Sequence, residues 1–418
     1  MTARVLYSLF LYLVTPLAML YLLWRSRRQP AYRHHWHERW ARYGAPRRDA
    51  PLIWLHAVSV GETRAAVPLV QALRQRYPDH RLLLTAMTPT GRATAQALFG
   101  GTVELAYLPY DYPGAVRRFL RHYRPAMGML LETEVWPNLV AACRSHGVPL
   151  FLVNARLSEK SYRGYARLRP LVAPAFGAFA GVLAQHEDDA ARLRSLGARE
   201  VQVIGNLKFD NLPAPELVAR GQAWRAALGG RPVLLLASSR DGEEALLLDA
   251  LARTALPDAL LIVIVPRHPQ RFDAVAGLLA ARGLTTLRRS GWDGASTPAA
   301  TVLLGDSMGE MTAWYALADV AIMGGSLLDF GCQNLIEACA VGAPVLLGPS
   351  TYNFAEVARA ALGVGCAWQG QDADAVAARA LQLLRDPAQC AGMREAGLAF
   401  AGAHRGATMR VLERLPTP

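Results

Sequence analysis

Residues 51–76 read PLIWLHAVSVGETRAAVPLVQALRQR, and this stretch decides the fold. Residues 52–57 form a short apolar run that predicts a buried strand, and apolar residues then recur at helical spacing. Gly61 lies at the bend between strand and helix, with Ser59 and Glu62 beside it. Such a turn directs backbone N–H groups at the helix start, where an anionic group can bind. A purely structural turn is the alternative.

The same pattern repeats along both halves of the chain. Apolar runs of strand length alternate with segments of helical spacing, and several of the runs end in polar clusters or glycine loops. Further runs cover residues 81–86, 103–108, 127–131, 149–153, 182–184, 233–237, 259–265, 301–304, 320–323 and 344–347. This alternation predicts parallel strands whose loops at the carboxyl ends carry the site.

The sequence therefore predicts an α/β fold with two doubly wound, Rossmann-like domains and a ligand cleft between them. A chain of 418 residues is too long for one ordinary domain. We expect a membrane anchor helix with a basic flank at residues 1–28, a first domain at residues 29–206 and a second domain at residues 207–418.

Charge and cysteine content indicate which partners and which cellular compartment the protein has. The formal net charge is +12, which favours anionic partners such as nucleic acid, acidic lipid or a sugar nucleotide. Lysine occurs only at Lys160 and Lys208, and the other Lys and Arg positions are all arginine. Each of these two positions therefore either requires a compact ammonium group or is lysine by chance. The five cysteines are widely spaced without a CxxC pair, which is typical of a reducing compartment.

Residues 5–24 form an uncharged apolar segment, long enough to cross a bilayer as a helix. Only Arg4 precedes it. The arginines that follow are Arg25, Arg27, Arg28, Arg33, Arg39, Arg42, Arg47 and Arg48. The positive-inside rule therefore predicts an uncleaved single-pass anchor with the rest of the chain in the cytoplasm. A helix that lies in the membrane interface is the alternative.

The neck after this segment is basic and aromatic, reading AYRHHWHERWARYG, and it suits anionic lipid headgroups. Between Pro30 and Pro51 the only acidic residues are Glu38, within the neck, and Asp49. Glu38 would either pair with neighbouring arginines or act as a general base at the membrane edge of a cleft.

Two loops after predicted strands carry charged candidates. Glu132 and Glu134 in ETEVWPN precede a helix, so one carboxylate would cap that helix while the other contacts substrate, or both would serve capping and ion pairing. Arg267, His268 and Arg271 in PRHPQRF offer bidentate donors to a phosphate or carboxylate, with a basic surface loop as the alternative.

Two glycine loops in the second half suit close approach of a phosphate to backbone N–H groups. They are GDSMGE at residues 305–310 and GGS at residues 324–326, and neither matches a P-loop. Asn334 and Glu337 stand three residues apart as at a helix start, which alone would be a capping pattern. No histidine and cysteine spacing indicates zinc.

Taken in order, these motifs resemble the Kdo transferases of lipopolysaccharide assembly, membrane-associated enzymes that attach 3-deoxy-octulosonic acid (Kdo) to lipid A precursor. The resemblance covers almost the whole chain. It rests on HAVSVGET, TAMTPTG, YLPYDYP, ETEVWPNL, VNARLSEKS, GNLKFD, SSRDGEE, PRHPQRF, GDSMGE, GGSLLDFGCQNLIEA and GPSTYNF. It implies a GT-B glycosyltransferase fold, inverting transfer from CMP-Kdo without a cofactor or catalytic metal, and residence at the inner membrane with its anionic lipids. Nucleic acid is not an implied partner.

The resemblance also implies roles for individual residues. Glu38 falls at the catalytic base that would deprotonate the lipid A hydroxyl, although a short insertion follows it here, and Glu132 would support the site on the acceptor side. Leu335 stands where the family usually has proline. The implied donor and nucleotide site comprises Lys208, Arg267, His268, Met308, Gly309, Glu310, Asn334 and Glu337, and the acceptor and glycine-loop side comprises Ser59, Gly61, Glu62 and Glu134.

Two alternatives stay open at this point. One is a membrane-associated transferase of the same fold that uses another sugar nucleotide, such as a UDP-sugar. The other is a membrane-tethered protein that binds acidic lipid without catalysis. Protection against thermal unfolding by CMP or by UDP would separate the two transferases, since a ligand stabilises the protein that binds it.

Overall fold

The computed structural model describes residues 2–46 and 49–417. Arg47 and Arg48, two of the arginines that follow the predicted anchor, lie outside the described residues. The chain divides into two compact units, the first formed by Met1–Asn211 with Arg405–Pro418 and the second by Leu212–His404. The prediction placed the whole of residues 207–418 in the second domain, so the structure differs in placing residues 207–211 and Arg405–Pro418 in the first unit.

The strands form two parallel sheets of seven strands each. In chain order they are β1 (Leu52–His56), β2 (Arg81–Ala86), β3 (Glu104–Tyr107), β4 (Met127–Leu131), β5 (Leu150–Ala155), β6 (Gly181–Ala184), β7 (Val201–Val203), β8 (Val233–Ser239), β9 (Leu261–Pro266), β10 (Thr286–Arg288), β11 (Val302–Leu304), β12 (Val320–Met323), β13 (Val345–Leu347) and β14 (Ala367–Gln369). The first sheet has the order β3-β2-β1-β4-β5-β6-β7 and the second β10-β11-β9-β8-β12-β13-β14. The predicted α/β class with two Rossmann-like domains is confirmed.

Helices connect the strands, as parallel pairing requires. They are α1 (Thr2–Arg28), α2 (Val60–Ala65), α3 (Val67–Arg76), α4 (Pro89–Phe99), α5 (Pro113–Tyr123), α6 (Pro137–Ser145), α7 (Glu159–Arg167), α8 (Arg169–Phe176), α9 (Glu187–Ser195), α10 (Pro215–Ala227), α11 (Glu243–Ala252), α12 (Phe272–Ala281), α13 (Met311–Leu317), α14 (Ile336–Ala340), α15 (Ala355–Gly363), α16 (Ala373–Leu384), α17 (Pro387–Ala403) and α18 (Ala407–Leu412). Short 3-10 turns cover Pro30–Arg33, Trp36–Trp40, Leu207–Asp210, Pro269–Arg271, Arg289–Gly291 and Tyr352–Phe354.

Strand β1 lies inside the first sheet, between β2 and β4, and is buried on both faces. Its alternate side chains enter two separate hydrophobic clusters, because successive strand residues point to opposite faces. Trp54 packs in one cluster, with its ring 5.0 Å from that of Phe119, while Ile53 and Leu55 pack in the other. Gly128 on β4 makes room for Trp54, since a Cβ there would lie 2.7 Å from the indole.

Helix α18 completes the core of the first unit. Val411 and Leu415 are buried in the same cluster as β1. The Asp210 carboxylate accepts the backbone N–H groups of Gly406 at 2.7 Å and Thr408 at 2.5 Å. The apolar face of α18 and this carboxylate explain why the segment joins the first unit rather than the second.

Helix α1 carries the predicted anchor. Its segment Ala3–Arg27 has a mean hydropathy of 1.9 and is the one helix in the described part of the chain that is long and apolar enough to cross a membrane. Most of its large apolar side chains are exposed, with Leu13 at 77% and Leu17 at 69%. Part of the helix packs against the rest of the first unit, where Asn138 Nδ2 donates to Ser8 Oγ at 3.0 Å. The helix therefore fits a membrane anchor.

Candidate functional site

The loop after β1 forms a capping box at the start of α2. Ser59 Oγ accepts the backbone N–H of Glu62, whose carboxylate in turn accepts the N–H of Val58 at 2.8 Å and the hydroxyl of Ser59 at 2.9 Å. This arrangement satisfies donors that a helix start leaves free. The prediction that Gly61 lies at the bend was wrong, because Ser59 caps the helix and α2 begins before Gly61.

Glu62 is a buried carboxyl group beside two others. Burial, followed by the nearby charge of Glu132, raises the pKa of Glu62 to about 7. Glu134 lies close enough to add to this effect. The three acidic residues predicted for this end of the sheet are therefore brought together by the loops after β1 and β4.

We expect the pKa of Glu62 to make the protein less stable as the pH rises. The unfolded chain releases this proton near pH 4.5 and the native chain near pH 7, so the native state binds more protons across that interval and stability falls through it. Glu62→Gln should remove about 3 kcal/mol of this fall. Urea unfolding at several pH values between 4 and 8 measures it, and parallel stability curves for wild type and variant would contradict the expectation.

Glu132 pairs with Lys208 after the end of β4. Lys208 Nζ donates to Glu132 Oε1 at 3.1 Å, and the backbone N–H of Lys208 donates to Asn206 Oδ1 at 3.0 Å. Glu132 has a φ of 59°, a left-handed conformation that costs energy in a non-glycine residue and is often found at functional sites. The structure thus places Lys208, predicted in the donor site, in the first unit beside Glu132.

Helix α6, which follows the two glutamates, is capped by another residue. Asp111 accepts the backbone N–H groups of Asn138 at 3.0 Å and Leu139 at 2.8 Å. Glu134 instead accepts the indole N–H of Trp136 at 2.8 Å, and burial raises the pKa of Glu134. The prediction that a loop glutamate caps this helix was wrong, because the carboxylate that reaches its amides comes from the loop after β3.

Glu38 is buried and tightly held. Its Oε2 accepts from Arg92 Nη1 at 2.7 Å and from the backbone N–H of Tyr107 at 2.7 Å. Its Oε1 makes longer contacts, at 3.4 Å to Arg92 Nη2 and 3.4 Å to His35 Nδ1. The predicted ion pair is therefore present, but its arginine comes from α4 rather than from the neck. Oε1 is the oxygen left for contact with another group.

A small cavity of about 170 Å³ reaches Glu38 and His37. His35, His37 and Glu38 also form a group whose ligand atoms lie within 4.8 Å of one another, the one such group of histidines, cysteines and acids found among the described residues. Both histidines are exposed while Glu38 is buried. If a cation bound the protein, these three side chains are where it could be held.

In the second unit, Glu243 organises the loop after β12. Its carboxylate is fully buried and accepts the backbone N–H groups of Gly325 at 2.7 Å, Leu327 at 3.0 Å and Arg240 at 2.7 Å. This contact fixes the predicted GGS loop against the loop after β8. Sequence reasoning missed Glu243. The feature that could have identified it is the pair of acids that follows a buried strand in SSRDGEE.

The predicted basic loop lies after β9, next to the loop after β8. The backbone N–H of Arg267 donates to the carbonyl of Ser239 at 3.0 Å, and His268 Nε2 lies 3.2 Å from Arg240 Nη1. Burial, followed by the charge of Arg240, lowers the pKa of His268. A neutral His268 can therefore accept a hydrogen bond from Arg240, the second functional candidate that sequence reasoning missed.

The other predicted donor-site residues lie in loops and a short helix of the same unit. Glu310 Oε1 pairs with Arg220 at 3.0 Å and Arg289 at 3.2 Å, so its side chain holds the 305–310 loop in place. Gly309 has a φ of 83°, a conformation that glycine readily adopts. Met308 is 55% exposed.

Asn334 and Glu337 flank the start of α14. Asn334 Oδ1 accepts the backbone N–H of Ile336 at 3.2 Å, which satisfies part of the capping pattern. The Glu337 carboxylate accepts the hydroxyl of Thr312 at 2.6 Å. Glu337 is thereby fixed towards α13, and any contact of these residues with a ribose stays a prediction.

A family model for 3-deoxy-D-manno-octulosonic-acid transferases (kdotransferases) matches residues 34–211. The 3-deoxy-D-manno-octulosonic acid transferase of Bordetella pertussis is 48% identical over 99% of this chain and 98% of its own length. The enzyme of the same name from Haemophilus influenzae is 34% identical over 99% of this chain and 98% of its own length.

Among solved structures, UDP-GlcNAc 2-epimerase from Neisseria meningitidis has a TM-score of 0.59 at 14% identity, covering 87% of this chain and 99% of its own. A glycosyltransferase from Rickettsia africae has a TM-score of 0.59 at 13% identity, covering 88% of this chain and 98% of its own. These two likenesses concern the fold alone, and they agree with the predicted GT-B class.

Proposed function

Because this chain belongs to the 3-deoxy-D-manno-octulosonic acid (Kdo) transferase family and is thus a glycosyltransferase, we propose that it transfers Kdo from CMP-Kdo to lipid A precursor (lipid IVA), with inversion, in lipopolysaccharide core biosynthesis. The observation that carries the donor assignment is the cluster of Arg240, Arg267 and His268 at the strand ends of the second unit. The CMP phosphate gains negative charge as its bond to Kdo breaks, and Arg267 with the backbone N–H groups of the glycine loops would stabilise that charge.

The acceptor side of the reaction belongs to the first unit in this proposal. Glu38 would take the proton of the acceptor hydroxyl through Oε1, the oxygen with the longer contacts. The ion pair of Lys208 with Glu132 would orient Glu132 next to Glu62. Lys208 therefore acts from the first unit, through Glu132.

The proposed location is the cytoplasmic side of the inner membrane. The exposed apolar side chains of α1 support attachment to a bilayer. Lipid A precursor is anionic and embedded in the membrane, so a basic neck directly after the anchor favours its approach. Holding acceptor and donor on one protein at the bilayer surface raises the rate of their encounter.

The test is CMP release by the purified full chain in detergent, with CMP-Kdo as donor and with or without lipid IVA. We expect release that depends on the acceptor, together with a lipid product heavier by one or more Kdo units in the mass spectrum. CMP release that does not exceed donor breakdown would contradict the proposal. Thermal protection by UDP but not by CMP would favour another sugar nucleotide.

We also propose that transfer needs no metal ion. Excess EDTA should change acceptor-dependent CMP release by less than about twofold, because arginines and backbone N–H groups would supply the positive charge that a metal supplies elsewhere. The assay above, repeated with EDTA and with added Zn²⁺ or Mg²⁺, measures this. Loss of activity in EDTA that Zn²⁺ restores would contradict it and direct attention to His35, His37 and Glu38.

A further inference from the structure

Arg240 is a basic residue of the second unit that family resemblance did not assign. Its guanidinium lies over the ring of Phe330, with Cζ 4.7 Å from the ring centroid. One edge of the group contacts His268, with Nη1 3.2 Å from Nε2. Stacking on one face and contact at one edge hold the planar guanidinium in a defined orientation.

The backbone around Arg240 is also fixed. The pairing of β8 with β9 shifts register between Ala237 and Ser239, and the intervening Ser238 has a φ of 57°. Gly324 packs against this bend, since a Cβ there would lie 2.3 Å from the Ser238 carbonyl oxygen. Bulges of this kind redirect the side chains that follow them and are common beside active sites.

The positive charge of Arg240 is not neutralised by a carboxylate among the described residues, whereas that of nearby Arg271 is. Arg271 forms ion pairs with Glu244 at 2.6 Å and with Asp241 at 3.2 Å. Within the described ranges, no carboxylate forms an ion pair with Arg240. A neutral His268 accepts one hydrogen bond from Arg240 and leaves the positive charge in place. Arg240 is therefore an oriented cation without a carboxylate partner among the described residues.

We propose that Arg240 binds the carboxylate of the donor sugar, an inference that rests on the proposed function. CMP-Kdo carries two anionic groups, a phosphate and the Kdo carboxylate, and they need separate partners. A guanidinium that is held at one edge presents a planar fork, and that fork matches the two oxygens of a carboxylate. The backbone N–H groups of the glycine loops suit the phosphate instead. Arg240 thus distinguishes an acidic sugar from a neutral one.

The experiment compares two ligands on full-length wild type, Arg240→Ala and Arg240→Lys by isothermal titration. Arg240→Ala should weaken binding of CMP-Kdo by about 10- to 100-fold, as expected for loss of hydrogen bonds to a charged group. It should change binding of CMP, which has the phosphate but no carboxylate, by less than about twofold. Arg240→Lys keeps the positive charge but not the planar guanidinium. Its affinity for CMP-Kdo should therefore lie between those of wild type and Arg240→Ala.

Arg379→Ala is the matched control, because Arg379 also lies over an aromatic ring, Trp368, in the same unit. It should leave both affinities unchanged. An equal loss of CMP and CMP-Kdo affinity in Arg240→Ala would assign Arg240 to the phosphate. No loss of either affinity would show that Arg240 does not contact the donor. Each of these results would overturn the proposal. If wild type releases no CMP in the presence of acceptor, the proposed function itself fails, independently of Arg240.

Discussion

Glu38→Gln is expected to lower acceptor-dependent CMP release by about 10²- to 10⁴-fold, the usual loss when a general base is removed. Glutamine keeps the size of the side chain and can still accept the backbone N–H of Tyr107. It cannot accept a proton from the sugar hydroxyl. CMP release at saturating donor and acceptor measures the effect, and CMP binding should be unchanged because the donor groups lie elsewhere in the sequence.

Loss of activity in Glu38→Gln has a structural alternative that needs its own control. The variant also breaks the largely buried ion pair with Arg92, and breaking such a pair is costly. Arg92→Gln breaks the same pair but leaves the carboxylate of Glu38, so it should lower the melting temperature comparably and retain much of the activity of the folded protein. Equal losses of activity in both variants, in proportion to the unfolded fraction, would assign Glu38 a structural role.

Glu243→Ala is expected to destabilise the second unit by about 3 kcal/mol or more. The substitution leaves the backbone N–H groups of Arg240, Gly325 and Leu327 without their acceptor, and each buried group left unsatisfied costs about 1–3 kcal/mol. The thermal midpoint should fall by about 6–12 °C. Differential scanning calorimetry of the full chain measures this fall, and titration with CMP-Kdo would show whether donor binding is lost at temperatures where the variant is folded.

Asp374→Ala is the matched control for Glu243→Ala. Asp374 is an exposed carboxylate that pairs with Arg253 at the surface of the same unit, and such pairs contribute about 0–1 kcal/mol. Glu243→Gln keeps one acceptor oxygen, so its midpoint should fall between wild type and Glu243→Ala. A thermal midpoint of Glu243→Ala equal to that of Asp374→Ala would show that water replaces the carboxylate without cost.

The central strands could be predicted from the sequence because each is an apolar run buried on both faces. Three strands were not predicted, and all lie at sheet edges: Val201–Val203, Thr286–Arg288 and Ala367–Gln369. Each has only three residues, and most of those residues are partly exposed. Such segments lack both the length and the apolar composition that identify a strand.

The site was harder to predict than the fold, because residue types can be read from a sequence and their partners cannot. The polar groups after the strands were identified, but Glu38 pairs with Arg92, which is 54 positions away. Asp111 reaches the start of α6 from a different loop. Glu243 was missed, since two of the amides that it accepts lie more than 80 positions along the chain.

The position of helix α18 has a consequence for biosynthesis. The ribosome makes the bulk of the first unit, then the whole of Leu212–His404, and only afterwards the segment whose apolar face fills the core beside β1. The first unit, although most of it is made first, therefore cannot complete its core until the last segment of the chain is made, unlike the usual order in which the earlier domain folds first. Until then it exposes apolar surface that a chaperone can cover.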